Sequence, residues 1–143
     1  QHLFEADGSV LYASLHQYPH YPGTGAASER GRGEGEGATL NCPQPAGSGD
    51  ADWLADFEEQ VLPRIESFDP QLVIISAGFD AHALDPLSDT RLTEEAYRVM
   101  TRGILDLARE HCAGRVVSLL EGGYSLSGLA RSVEAHVGEL RVG

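Results

Sequence analysis

No lysine occurs among the 143 residues: all ten basic residues are arginine, set against 22 acidic ones, for a formal net charge of -12. That balance argues against non-specific binding to nucleic-acid phosphates or anionic membranes. Cysteine is nearly as scarce. Cys42 and Cys112 are too few for a disulfide framework, and neither sits in a Cys-x-x-Cys pair, so both are expected to be reduced and structural. Long apolar runs are missing as well, since the longest, such as 72–77, fall far short of the roughly 20 residues that a membrane-spanning helix needs. No basic segment precedes an apolar stretch at the N-terminus. The expectation is a cytoplasmic chain with neither a nucleic-acid nor a membrane partner. It opens on Gln1 rather than Met, a few residues before a strand-like run, and is expected to be a fragment.

What is present fits a single domain: 15.3 kDa with 41% hydrophobic residues can bury one core. Val10 to Leu15 (VLYASL) reads as a short buried strand, and the Gly-, Pro- and Ser-rich stretch from His16 to Asp52 as one long loop. Asp50 or Asp52 can cap a helix with Leu54, Phe57, Val61 and Ile65 on one stripe, interrupted near its end by Pro63. Leu72 to Ala77 (LVIISA) has the composition of a strand covered on both faces, and Arg115 to Leu120 (RVVSLL) reads as a third buried strand. Between them, Thr93 opens a helix with Ala96, Val99, Met100, Ile104, Leu107 and Ala108 on its stripe, and Gly114 closes it. A last helix carries Leu126, Leu129, Ala130, Val133, Val137 and Leu140 on one face. Strands alternating with helices predict an α/β fold with a parallel sheet and flanking helices. Ligand sites in such sheets lie beyond the carboxyl ends of the strands, here in loops 14–24, 78–87 and 121–125.

The second of these loops reads SAGFDAHALDPL (76–87). Asp80 and His82 leave the end of a buried strand, where a carboxylate needs a hydrogen-bonding partner or a metal. A loop Asx-turn accounts for such an aspartate equally well, and two residues fall short of the three protein ligands of a catalytic zinc. In LEGGYSL (120–126) two glycines follow the strand, and Tyr124 can either donate a hydrogen bond to a developing oxyanion or pack on the next helix. The first loop crowds His16, Tyr18, His20 and Tyr21 around a Pro-Gly turn.

One tempting motif fails, and another fits incompletely. The run GRGEGEG has no Lys for a phosphate-binding Walker loop, does not follow a strand directly, and carries two glutamates that repel phosphate, so it reads as a flexible wall. Gly123-Tyr124-Ser125-Leu126-Ser127 approaches a serine-hydrolase nucleophile elbow with Ser125 as nucleophile. Its last glycine is replaced by Ser127, and the candidate partners Glu134 and His136 fall within the next helix.

VLYASLH, YPGTG, LNCP, SAGFDAHALDPL and LEGGY followed by a helix with ARS, in that order, resemble the zinc-dependent histone deacetylase and acetylpolyamine amidohydrolase family, nearest its bacterial and class II-like members. The resemblance implies an arginase/deacetylase-like fold of which residues 1–143 form the C-terminal portion of a single domain. It implies amide hydrolysis by metal-activated water, with acetyl-lysine or acetylated polyamine as substrate.

Residue by residue, it makes Asp80 a zinc ligand and Tyr124 the phenol that polarises the acetyl carbonyl. Tyr21 and Leu87 become the wall and rim of the acyl-lysine tunnel, and Gly122 and Gly123 its close-approaching floor. Ser14 and Leu15 match ligands of a structural K+ or Na+ near the zinc, and Phe4, Asp7 and Val10 match backbone ligands of a second monovalent site. The family's other two zinc ligands, in an Asp-x-His-His-Gly segment, and its His-His general base belong upstream of residue 1, and His2, His16, His20 and His82 do not match them. Ser125 stands where the family commonly has asparagine. The isolated chain is therefore expected to be inactive, which keeps a non-catalytic binding module as an alternative, and the unpaired strand edges left by truncation favour homo-oligomers.

Overall fold

The structure, a computed structural model, describes residues 1–142. Four strands and four α-helices run in the order β1 (Tyr12–Gln17), β2 (Thr39–Gln44), α1 (Asp50–Asp56), α2 (Leu62–Phe68), β3 (Val73–Ala77), α3 (Glu94–Cys112), β4 (Val116–Leu120) and α4 (Leu126–Val142). All strand pairing is parallel, as the alternation predicts. The strands form two separate pairs, β1 with β2 and β3 with β4.

Strand β2 lies inside the stretch read as one long loop. Its sequence, TLNCPQ, has neither an apolar run nor a clean alternation, and its Pro43 has no N–H to donate to a ladder. Pairing with β1 in the register Leu15 to Cys42 supplies what local pattern does not show, and a proline is tolerated in an edge strand. The glycine run is likewise no flexible wall. It forms a short 3-10 turn at Gly33–Gly35, held to the N-terminal segment by the Arg32 N–H donating to the Glu5 carbonyl at 2.6 Å.

The first helical segment starts one residue earlier than its candidate caps: Gly49 is the cap position, and its N–H donates to Asp52 Oδ2 at 2.9 Å. Asp50 instead reaches the start of α3, accepting from the N–H and hydroxyl of Thr93. Between α1 and α2 the chain widens into a π-turn, Phe57–Val61, which places Pro63 in the first turn of α2. A proline inside an unbroken helix would collide with the carbonyl four residues back, and the wider turn avoids it. The stripe survives the change, with Phe57, Val61 and Ile65 buried beside Cys42 and Leu107. Leu15 also packs on a second cluster of Trp53, Ala77, Phe79, Leu92, Ala96 and Tyr97, in which the Phe79 and Tyr97 rings stand 5.1 Å apart.

Strands β3 and β4 are covered on one face only. Ile75 and Ala77 face α3, whereas Ile74 is 61% exposed and Leu119 52% exposed. Their continuous apolar sequence is that of strands packed on both sides, and this chain supplies the cover for one. Helix α4 also turns differently from its leucine and valine stripe. Leu126, Ala130 and Val137 are exposed, and the buried positions are Gly128, Ser132, Ala135 and His136.

His136 explains the rotation, because the ring is bonded on both sides. The Thr101 hydroxyl donates its one hydrogen to the Tyr97 carbonyl at 2.6 Å, so at 2.7 Å it accepts from Nδ1–H of His136. Nε2 then accepts from the Ser118 hydroxyl at 2.8 Å. Burial pushes the His136 pKa below its ordinary value.

Candidate active site

Three loops meet beyond the carboxyl ends of the strands. Strand β3 ends at Ala77, and the chain turns through Gly78 and Phe79 to present Asp80, half-buried. The Phe79 N–H donates to the Gly122 carbonyl at 2.8 Å, which brings the loop after β4 alongside. There a Cβ on Gly122 would stand 2.7 Å from Asp80 Cγ, so only glycine allows the carboxylate to lie where it does. Gly123 has φ +139°, a conformation L side chains rarely adopt, and it aims the next residue, Tyr124, away from the strand.

Burial raises the pKa of Asp80 above the usual carboxylate value, and the nearby Asp85 charge adds to the shift. No other side chain hydrogen-bonds its carboxylate, and Tyr124 is 59% exposed. A desolvated carboxylate without a side-chain donor suits a cation. Among the described residues, however, no group of three or more His, Cys, Asp or Glu side chains is placed to hold a metal ion. A metal ion there would take one ligand from this chain, Asp80.

His82 is not the second ligand of that site. It is 3% exposed, its Nδ1 accepts from the Leu84 N–H at 3.1 Å, and its Nε2 faces Glu94 at 3.7 Å, which in turn pairs with Arg131. This histidine ties the loop to the start of α3 and to α4. His16 is also structural, bonded through Nδ1 to the Ser14 hydroxyl and through Nε2 to the Gly25 carbonyl, both at 2.8 Å, and so folds loop 18–25 back on β1.

Tyr21 is 90% exposed on that loop and Leu87 is exposed on the next. His20, given no role by the sequence, connects the two loops through Nε2–H donating to the Leu87 carbonyl at 2.9 Å. Asp85 was also missed, although the Asp-Pro pair was a turn signal. Its carboxylate accepts from the N–H of Leu87 at 3.0 Å, of Tyr124 at 2.7 Å and of Ser125 at 3.2 Å.

Ser14 and Leu15 lie in the β1 ladder opposite Asn41 and Cys42. Phe4, Asp7 and Val10 are spaced along a run of turns in which the Phe4 carbonyl accepts from Asp7 N–H at 3.0 Å and the Asp7 carbonyl from Val10 N–H at 3.5 Å. Ser125 has no base beside it. Its hydroxyl lies 3.3 Å from the Gly128 N–H at the start of α4 and 3.4 Å from the Ser127 hydroxyl, while His136 is committed to Thr101 and Ser118. The nucleophile, base and acid of a serine hydrolase are therefore not assembled.

Comparison with known proteins decides the family, since the histone deacetylase domain model matches residues 1–140. The chain belongs to the histone deacetylase domain family. It is 46% identical over 130 residues to a chloroplastic histone deacetylase 14 of Arabidopsis thaliana, covering 91% of this chain and 31% of that protein. A probable deacetylase of Archaeoglobus fulgidus is 45% identical, with 90% of this chain and 36% of that one covered. A histone deacetylase-like amidohydrolase of Pseudomonas aeruginosa is 39% identical, with 87% and 33% covered.

Among solved structures, the HDA15 HD domain superposes with a TM-score of 0.90 at 44% identity, over 96% of this chain and 38% of that one. The histone deacetylase Clr3 also gives 0.90, at 42% identity, over 98% and 24%. The α/β architecture is thus that of histone deacetylase domains, and this chain spans about a third of the curated relatives' length. Among the described residues, no helix is long and apolar enough to cross a membrane.

Proposed function

We propose that this chain is the C-terminal portion of a zinc-dependent deacetylase domain that hydrolyses the acetyl amide of acetyl-lysine or an acetylated polyamine. One observation carries the reading: a half-buried carboxylate without a side-chain donor, Asp80, lies against a glycine-floored loop that presents a free phenol two residues later. Asp80 would hold the metal. Bound there, zinc would supply Lewis acidity to polarise the acetyl carbonyl and lower the pKa of attacking water. Tyr124 donates its O–H where the carbonyl oxygen gathers charge, a bond strongest in the transition state. Tyr21 and Leu87 flank the acyl chain, and Gly122 and Gly123 let the floor approach it.

On this reading the two remaining zinc ligands and the general base come from an upstream part of the domain, as the family resemblance implies. K+ or Na+ is held by Ser14 and Leu15 and, at a second site, by Phe4, Asp7 and Val10. The reading has a cytoplasmic enzyme acting on an acetylated polyamine, cationic at its remaining amines, or on the neutral acetyl-lysine side chain of a protein, with neither nucleic acid nor membrane as a partner. Its two cysteines, both buried and unpaired, are consistent with a reducing compartment.

The test joins this chain to an upstream deacetylase segment and assays an acetyl-lysine peptide with and without chelator. Tyr124→Phe is expected to retain zinc and lower kcat about 10²-fold or more. Asp80→Asn is expected to lose zinc. Chelator-resistant turnover, or tight 1:1 zinc binding and turnover by residues 1–143 alone, would overturn the proposal.

A further inference from the structure

The Asp85 carboxylate is 7% exposed and bridges its own loop to the loop after β4, beside the direct bond from Phe79 N–H to the Gly122 carbonyl. Burying a carboxylate is costly unless donors surround it, and here three backbone N–H groups do so. Oδ1 accepts from Leu87 and Oδ2 from Tyr124 and Ser125. The Leu87 carbonyl, on the far side of the same residue, accepts from His20 Nε2–H, whose neighbour is Tyr21.

One hydrogen-bonded chain therefore runs from the first loop through Leu87 and Asp85 to the backbone of Tyr124. The glycine pair before Tyr124 offers no side chain to pack; the Gly122 carbonyl is held by the Phe79 N–H, and Asp85 holds the two amides that follow the pair. Ser125 anchors its other end at the start of α4, and the two contacts on Oδ2 span that junction.

We propose that Asp85 is a positioning residue, which sets the Tyr124 backbone relative to the Leu87 rim and couples the order of the rim to that of the phenol. Its importance for catalysis rests on the deacetylase reading, whereas the coupling itself needs neither zinc nor substrate.

The coupling is tested on this chain by amide hydrogen exchange and by NMR scalar coupling across the hydrogen bond from Tyr124 N to Asp85 Cγ. A measurable coupling is expected in the unsubstituted chain. Asp85→Ala is expected to lower protection of the Leu87, Tyr124 and Ser125 amides at least tenfold, leaving the β3–β4 ladder amides unchanged. Asp85→Asn keeps one acceptor oxygen and is expected to restore protection on one side of the clamp only. His20→Ala is expected to broaden Leu87 and Tyr124 resonances together.

Absence of the coupling in the unsubstituted chain would overturn the proposal even if Asp85→Ala failed to fold. Unchanged protection at Tyr124, or an equal loss at the clamp and the β3–β4 ladder, would overturn it as well. Failure of the deacetylase assay alone would leave these amide readouts unaffected, so the two proposals fail separately.

Discussion

Gly122 lies so close to the Asp80 carboxylate that no side chain fits between them: a Cβ there would stand 2.7 Å from Cγ and overlap Oδ2. The atoms met are those of the carboxylate itself, the end of the Asp80 side chain, so relief requires that carboxylate to swing away. Gly122→Ala in a completed domain is expected to weaken zinc about tenfold or more, the scale seen when support for a ligand is lost. Chelator competition measures it, and an unchanged affinity would place the zinc elsewhere.

Stability should depend on pH through His136. Its pKa is depressed in the folded chain by burial, so the unfolded chain binds the proton more tightly. Its contribution is complete above the ordinary value of about 6.5 and is lost as pH falls toward the depressed folded value, by at most about 1.4 kcal/mol per pH unit. Denaturant melts at pH 7.5 and 5.5 should show a larger loss for the unsubstituted chain than for His136→Gln. Equal losses would mean that the ring is not the titrating group.

Ser125→Ala separates two chemistries. The hydroxyl caps α4 through Gly128 N–H, so removing it is expected to cost about 1 kcal/mol of stability. Turnover in the completed domain should change less than about twofold, because one cap bond leaves the phenol and the carboxylate in place. Abolished activity with retained folding would revive the serine nucleophile.

The open face of the β3–β4 pair predicts self-association of the isolated chain. Ile74, Val117 and Leu119 expose apolar surface side by side on two hydrogen-bonded strands. Sedimentation should show oligomers that shrink toward monomer with Ile74→Lys plus Leu119→Lys, while far-UV dichroism stays constant. A monodisperse unsubstituted monomer would contradict this.

Local pattern made most elements legible. The stripe Phe57, Val61, Ile65 is buried, Thr93 caps α3 with its side chain accepting from Glu95 N–H, and the two β-branched runs are parallel strands. Helix and strand periods are written every few residues, so they survive in any window of sequence. Strand β2 was not legible, because a run with Asn41 and Pro43 becomes a strand only when β1 offers it a ladder. The roll of α4 was not legible either, since leucines and valines outnumber the buried positions and the choice fell to a histidine that needed two hydroxyls from other elements.

The candidate site divides the same way. Asp80, Tyr124, Gly122 and Gly123 stood out by their place at strand ends, where a turn or simple packing explained them equally well, and the family resemblance alone gave them roles. Which histidines were free was not readable: His16, His82 and His136 are each claimed by partners up to 35 residues away. Asp85 and His20 act through backbone groups, which every residue carries and no sequence motif marks. The sequence by itself determined the elements, the strand-end loops and the chemistry of their side chains, because these follow from local period and residue type. Only the tertiary structure decided which loops touch and which polar atoms remain free, because hydrogen-bond partners are allotted by distance in space rather than by separation along the chain.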